Sequence, residues 1–409
     1  MKLQLSFPEE RTISKSIKIT GSKSETNRLL LLQALFPTIA IENLSNSDDG
    51  EVMQKGLKKT SGVVDIHHAG TAMRFLTAFF ASQEDRKVVL TGSQRMQERP
   101  IKVLVEALRE LGAEIQYEKN EGYPPIKIIG KKLAKNKVSL PANISSQYIS
   151  ALLLIAPSLA NGLELELVGK ITSVPYIKMT LALLEQIGVQ TSFEGNQIRV
   201  YPKEKVKETT LVVESDWSSA SYFYSIVALC NPGSEVQLSS YKENSLQGDS
   251  VLTELYKDFG VETIFEGNLI TLRKTSENNI QFVEYDLSNA PDTAQTIAVT
   301  CLGLGMGCHL TGLHTLPIKE TDRLAALKTE LTKLGAEVEI DAESLTLKPS
   351  KSIVPGVSID TYNDHRMAMA FAPLGLKRDI TINDAGVVSK SYPDFWNDLE
   401  ILGFKIVNV

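Results

Sequence analysis

Two patterns of apolar and polar positions interleave along the 409-residue chain. In the first, an amphipathic helix ends in an apolar residue and a glycine, and a strand with period-two alternation follows. It recurs as LVEALRELGAEIQY, LALLEQIGVQTSF, LTELYKDFGVETIF, LKTELTKLGAEVEI and FWNDLEILGFKIV. The closing glycines are Gly112, Gly188, Gly260, Gly335 and Gly403, separated by 76, 72, 75 and 68 residues. Each suits the left-handed position that ends a helix. A weaker first copy ends at Gly62. In TSFEGNQIRVYP and TIFEGNLITLRK, Glu-Gly-Asn marks a hairpin turn.

In the second pattern, six apolar segments each follow a cluster of small polar residues. They are GSKSETNRLLLLQAL at 21, HAGTAMRFLTAFF at 68, SSQYISALLLIA at 145, DWSSASYFYSIVAL at 216, APDTAQTIAVTCL at 290 and NDHRMAMAFAPLGL at 363. Helices that are apolar nearly all round belong in a core, whereas the glycine-terminated amphipathic helices belong outside it. The repeating unit is about seventy residues with two helices and several strands, used about six times. Six such units predict two α/β domains of three units each.

Composition narrows the class. The net charge of −6 argues against a nucleic-acid binder but leaves room for a local basic pocket. Three cysteines, Cys230, Cys301 and Cys308, are too few and too irregular for a disulfide framework, so a reducing cytoplasm is expected. MKLQLSFPEERTISKSIKIT alternates as a strand does and lacks the apolar core of a signal peptide. No apolar run reaches membrane-spanning length, and Ala151-Leu-Leu-Leu-Ile-Ala stops at Pro157.

The unusual polar residues collect at helix starts. Before the apolar helices lie Lys23, Ser24 and Arg28; Thr71 and Arg74; Ser145, Ser146 and Gln147; Asp292; and His365 and Arg366. Before the amphipathic helices lie Arg95 and Arg99; Ser173 and Tyr176; Lys319, Glu320 and Arg323; and Lys390. In isolation GSKSETNR is a turn and a helix cap. Repeated helix starts carrying Lys or Arg instead suggest dipoles converging on a phosphate or carboxylate ligand. Asp292 and Glu320 lie among these cations and can move protons, although either alone is an ordinary capping or ion-pair residue. Asp48-Asp49 could suggest Mg²⁺, but a helix-start acid pair is the better reading. His67-His68 stand without an HExxH or Cys/His spacing, so no metal site is expected. No GxSxG elbow or GxGxxG fingerprint occurs.

GSKSETNR, HAGTAMR, RMQERP, SSQY, SDWSSASYF, NSLQGD, PDTAQT, KETDRL, YNDHRMAMA and SKSYPDF occur in this order. Together they resemble the 5-enolpyruvylshikimate-3-phosphate synthase family over nearly the whole chain, and KETDR and NDHRMAM are its most specific motifs. The resemblance implies an enolpyruvyl transferase fold, an inside-out α/β barrel of two domains, each built from three βαβαββ units. The first domain would be 1–20 with 214–409 and the second 21–213, the helix starts facing a cleft that closes around substrate. The implied reaction joins phosphoenolpyruvate to the 5-hydroxyl of shikimate 3-phosphate through a tetrahedral intermediate, with no metal or organic cofactor, in a cytoplasmic monomer.

By the same resemblance Lys23, Arg99, Arg323, Arg366 and Lys390 would grip phosphoenolpyruvate, with Gln147 close by. Ser24, Arg28, Ser145, Ser146, Ser173, Asp292 and Lys319 would hold shikimate 3-phosphate. Asp292 is the expected base at the 5-hydroxyl and Glu320 the proton carrier at the methylene carbon. Lys23 would stabilise or protonate the leaving phosphate. His68 and Gly70, at the start of the AGTAMR helix, complete the substrate-binding set.

Four positions depart from the family pattern. His67-His68 replace the usual Gly-Asn, Phe75 replaces a Pro, Thr315 stands where an Asn is frequent, and Lys178 where an acid is. Catalysis is expected to survive these changes and sensitivity to the inhibitor glyphosate to be altered. Two other readings compete. A UDP-N-acetylglucosamine enolpyruvyltransferase would use a loop cysteine, whereas these three cysteines fall in or beside apolar segments. A catalytically inactive relative that only binds ligands is suggested by His67-His68.

Overall fold

Long apolar helices with few charges must be covered on every side, and the strands sit where they can do this. The computed structural model describes residues 1–409 except 143, 144, 170, 172, 173, 278 and 351. The chain divides into two units, Met1–Thr20 with Glu214–Val409, and Gly21–Val213. They are called the first and second unit below.

The second unit contains the apolar helices α1 (Lys23–Leu35), α2 (Gly70–Ser82) and α3 (Ser146–Ile155). The first unit contains α4 (Trp217–Leu229), α5 (Ala294–Leu304), the amphipathic α6 (Arg323–Lys333) and α7 (His365–Phe371). In α4 every residue but Ser218 is buried, and in α2 every residue but Thr71 and Ser82. The amphipathic helix Lys102–Leu111 buries only Leu104, Val105, Ala107, Leu108 and Leu111.

The first unit has three four-stranded sheets of one design: a parallel pair extended by two antiparallel strands. In one of them Phe282–Asp286 pairs parallel with Gly307–Thr311, which pairs antiparallel with Leu345–Leu347, with Val338–Ile340 at the edge. Two sheets of the second unit repeat the design, and its third is only the parallel pair Ile39–Glu42 with Thr209–Val212. Among the described residues no helix is long and apolar enough to cross a membrane.

The five closing glycines all adopt the left-handed conformation, with φ between 73° and 110°. Gly62 departs from that expectation. The preceding helix ends at Leu57, and Gly62 lies inside the strand Ser61–Asp65 of the next sheet. The first copy is weak because its hairpin is missing, so its chain passes straight on. LTELYKDF is broken into a short α-turn, Leu252–Leu255, and a 3-10 turn, Tyr256–Phe259. Tyr256 and Phe259 are both fully buried there. Helix α7 stops at Phe371 and passes into the 3-10 turn Ala372–Leu376. Pro373 explains this, since it lacks the N–H that an α-helix would use.

Candidate active site

In the first unit the starts of α5, α6 and α7 carry a compact ion network. Asp292 stands in the single turn before α5. Its Oδ1 accepts from Arg323 NH1 at 2.8 Å and lies 3.4 Å from Lys319 Nζ. Its Oδ2 accepts from Arg366 NH2 at 3.2 Å, and its carbonyl from Arg366 NH1 at 3.1 Å. Arg323, only 2% exposed, also donates from Nε to Asp364 Oδ2 at 2.6 Å and from NH2 to Glu320 Oε2 at 2.8 Å. A second NH2 contact reaches Asp364 Oδ1 at 3.4 Å.

Local sequence places these groups. Asp322 caps α6, accepting from Ala325 N at 3.1 Å, which sets Arg323 on the first turn. Asp364 caps α7, accepting from Arg366 N at 2.9 Å, while its carboxylate holds Arg323. Lys390 Nζ donates to the carbonyl of Asn363 at 2.5 Å.

Burial alone would raise the Asp292 carboxyl. Arg366, Lys319 and Arg323 outweigh burial and the opposing charge of Glu320, and hold it well below the usual carboxylate range. Despite burial, Asp364, Glu320 and Asp292 hold Arg323, and Asp292, Tyr222, Asp249 and Asp216 hold Arg366, above the ordinary arginine value. Asp249 behaves oppositely. Burial pushes it up to about 6, against the lowering effect of Arg366. Ser218 links the two, donating to Asp249 Oδ2 and accepting from Arg366 NH2 at 3.1 Å.

The second unit treats its cations differently. Arg28 is 2% exposed and donates to Thr180 Oγ1 at 2.8 Å, the Ser24 carbonyl at 2.7 Å and Ser150 Oγ at 3.0 Å. Its guanidinium lies 5.5 Å from the centre of the Phe75 ring and 6.0 Å from that of Tyr176. Burial lowers its pKa to about 10, which leaves it charged at neutral pH. Phe75 is therefore part of the wall that holds this arginine.

Lys23 Nζ lies 3.4 Å from Asp49 Oδ2. Ser22 occupies the cap position of α1, but its side chain makes no capping bond, so the plain capping reading of GSKSETNR is incomplete. Ser145 does cap α3, accepting from Gln147 N at 3.4 Å, and Gln147 Nε2 donates to Thr71 Oγ1 at 3.2 Å. Ser146 is buried. A Cβ on Gly70 would stand 2.9 Å from Arg99 NH1, so the absence of a side chain lets Arg99 lie there. His68 is half-buried, Lys178 is exposed, and Thr315 has a buried hydroxyl without a hydrogen-bond partner. Ser173 lies outside the described residues.

The residues named from sequence thus form one network in the first unit and several smaller groups in the second. Asp364, Asp249 and Ser218 belong to these arrangements without having been assigned a part, and Asp49, expected only as a helix-start acid, is the partner of Lys23. Asp364 was the most findable, as an acid directly before an apolar helix. All three cysteines are free and buried, and burial pushes the Cys230 thiol up to about 12. Among the described residues no three His, Cys, Asp or Glu side chains are grouped to hold a metal.

A model of the EPSP synthase (3-phosphoshikimate 1-carboxyvinyltransferase) family matches residues 58–399. A 3-phosphoshikimate 1-carboxyvinyltransferase of Bacteroides fragilis is 44% identical over 410 residues, covering 99% of both chains. One from Haemophilus influenzae is 36% identical over 429 residues, covering 95% of this chain and 96% of its own. The fold matches an EPSP synthase from Acinetobacter baumannii with a TM-score of 0.80 over the full length of both chains, at 21% identity.

Proposed function

The chain belongs to the EPSP synthase (3-phosphoshikimate 1-carboxyvinyltransferase) family, and on that premise we propose how its own side chains perform the reaction. It is an enzyme that transfers the enolpyruvyl group of phosphoenolpyruvate to the 5-hydroxyl of shikimate 3-phosphate and releases phosphate.

Phosphoenolpyruvate draws on Lys23, Arg99 and Gln147 of the second unit and on Arg366 and Lys390 of the first. Shikimate 3-phosphate draws on Ser24, Arg28, Ser145, Ser146, Ser173, Asp292 and Lys319. The hydroxyl oxygen adds to C2 of phosphoenolpyruvate as the methylene carbon takes a proton. The tetrahedral intermediate then loses a proton from that carbon and expels phosphate. Lys23 balances the charge of the leaving group.

The observation that carries the acid–base assignment is Arg323, which holds Asp292 on one nitrogen and Glu320 on another. With four hydrogen bonds to carboxylates, Arg323 serves more as the frame of the site than as a grip on the donor. Asp292 starts as a weak base because three cations stabilise its charge. The anionic groups of phosphoenolpyruvate would draw Arg366 away from it and raise its basicity as the ternary complex forms. Glu320 carries the proton at the methylene carbon. Buried thiols fit a reducing cytoplasm, and a monomer is the family expectation.

Phosphate release from the purified protein tests this reading. Release should need both substrates, and Glu320→Ala should lower kcat by about 10²–10⁴-fold. An undiminished variant would remove Glu320 from proton transfer. Binding of both ligands without release from the wild type would favour an inactive relative. Thiol alkylation should leave activity intact, unlike in an enzyme that depends on a loop cysteine.

A further inference from the structure

Helix α6 grips the chain that enters α7 at two levels. Arg323 and Glu330 are seven residues apart and lie on one face of the helix. Arg323 holds Asp364, as described above. Two turns on, Glu330 Oε1 accepts from the Tyr362 hydroxyl at 2.6 Å, and Oε2 accepts from Asp360 N at 3.2 Å. Lys333 Nζ bridges Glu330 Oε2 at 2.8 Å and Asp360 Oδ2 at 2.7 Å. Glu330 is fully buried. The gripped residues 360, 362 and 364 alternate along the segment.

Between the grips the backbone turns through an unusual conformation. Tyr362 has φ 51° and Asn363 has φ 56°. Asparagine tolerates this left-handed region, whereas a bulky side chain such as tyrosine rarely enters it. A conformation of this kind persists only when its surroundings over-determine it, and here Glu330 and Arg323 do so from either side. The turn presents the Asn363 carbonyl to Lys390 and places Asp364 to cap Arg366. Two cations assigned to phosphoenolpyruvate therefore depend on one strained turn that touches neither substrate in that reading.

We propose that Glu330 and Tyr362 are positioning residues, holding the 362–363 turn in its left-handed form so that Arg366 and Lys390 are preset for phosphoenolpyruvate. This rests on the assignment of Arg366 and Lys390 to that substrate. A merely structural contact would affect both substrates alike, or only the stability.

Steady-state constants for both substrates and melting temperatures, measured on Tyr362→Phe, Tyr362→Gly, Tyr362→Ala and Arg366→Ala, test it. Tyr362→Phe removes only the hydroxyl. It should raise KM for phosphoenolpyruvate about three- to tenfold, the worth of one hydrogen bond. KM for shikimate 3-phosphate should stay within about twofold and the melting temperature within about 2 °C. Tyr362→Gly should bind phosphoenolpyruvate better than Tyr362→Ala, because glycine adopts positive φ without steric cost. Equal shifts for both substrates, lower stability without a split in KM, or unchanged constants in Tyr362→Phe would each overturn the proposal. Arg366→Ala separates the two levels. If it leaves KM for phosphoenolpyruvate unchanged, the substrate assignment fails and the proposal with it. If it raises that KM while Tyr362→Phe does not, only the positioning role fails.

Discussion

The two units hold their buried arginines by opposite means. In the first, Arg323 and Arg366 are met by the carboxylates Asp292, Glu320 and Asp364, so charge is balanced inside the network. In the second, Arg28 is bonded to hydroxyls and carbonyls and lies against two aromatic rings, with the Glu25 carboxylate acting on it only through its charge, and Arg74 is bonded to the carbonyls of Gly70 and Pro100 and lies against the ring of Tyr148. Neutral partners solvate a guanidinium without cancelling its charge. Under the function proposed above, the second arrangement would leave more positive field for an anionic substrate, and the first would keep carboxylates among cations for proton transfer.

The comparison can be broken most severely at Asp364. This residue is fully buried, holds Arg323 and caps α7. Asp364→Ala leaves a buried arginine short of a counter-charge and should cost about 3–5 kcal/mol by urea unfolding. Arg28→Met should cost less, about 1–2 kcal/mol, because Ser150 and Thr180 already bond each other at 2.9 Å and stay satisfied. Its main effect should be on KM for shikimate 3-phosphate, which we expect to rise at least tenfold. A larger stability loss for Arg28→Met than for Asp364→Ala would reverse the contrast.

The pH dependence of stability sharpens the same point. Asp249 is raised in the fold to about 6, chiefly by burial, so between its unfolded value and 6 the native state binds more protons than the unfolded chain. Its contribution thus falls as pH rises through that window and is least favourable at neutral pH. Asp249→Asn should raise stability at pH 7 relative to pH 5 by on the order of 1–2 kcal/mol against the wild type. Asp292, whose pKa is depressed, contributes with the opposite sign. Its stabilisation is complete above the unfolded carboxylate value and is lost only as pH falls below it. Thermal melts from pH 4 to 8 on the wild type and Asp249→Asn isolate the Asp249 contribution; parallel curves would remove Asp249 from the balance.

The smallest expected effect concerns the departures His68 and Phe75. The double variant His68→Asn, Phe75→Pro should change the inhibition constant for glyphosate severalfold while kcat is largely kept. Identical constants would show that neither position bears on the inhibitor. Phe75→Leu, which keeps the helix intact, should weaken the aromatic hold on Arg28 by about 0.5–1 kcal/mol of cation–π attraction.

Much of this was legible in the chain. The glycine-closed amphipathic helices and the six apolar segments exposed the repeat, because burial periodicity and left-handed helix ends are local properties. Asp292, Lys319, Glu320, Arg323 and Arg366 could be picked out because they crowd three helix starts. The missing hairpin near Gly62 and the break in LTELYKDF were less visible, since neighbouring sheets and the burial of Tyr256 and Phe259 decided them. A serine before a helix looks like a cap whether or not it caps, and Ser22 does not.

What the sequence by itself determined is which elements form, which helices are buried, and which charged residues gather at their starts. Those follow from side-chain chemistry repeated at short range. Only the tertiary structure decided which charges neutralise one another. Lys23 meets Asp49, Arg323 meets three carboxylates, and Arg28 is bonded to hydroxyls and carbonyls. Such pairings depend on distances of a few ångströms between segments far apart in the chain. Coulomb energies and desolvation change steeply over that range, and no local pattern encodes it.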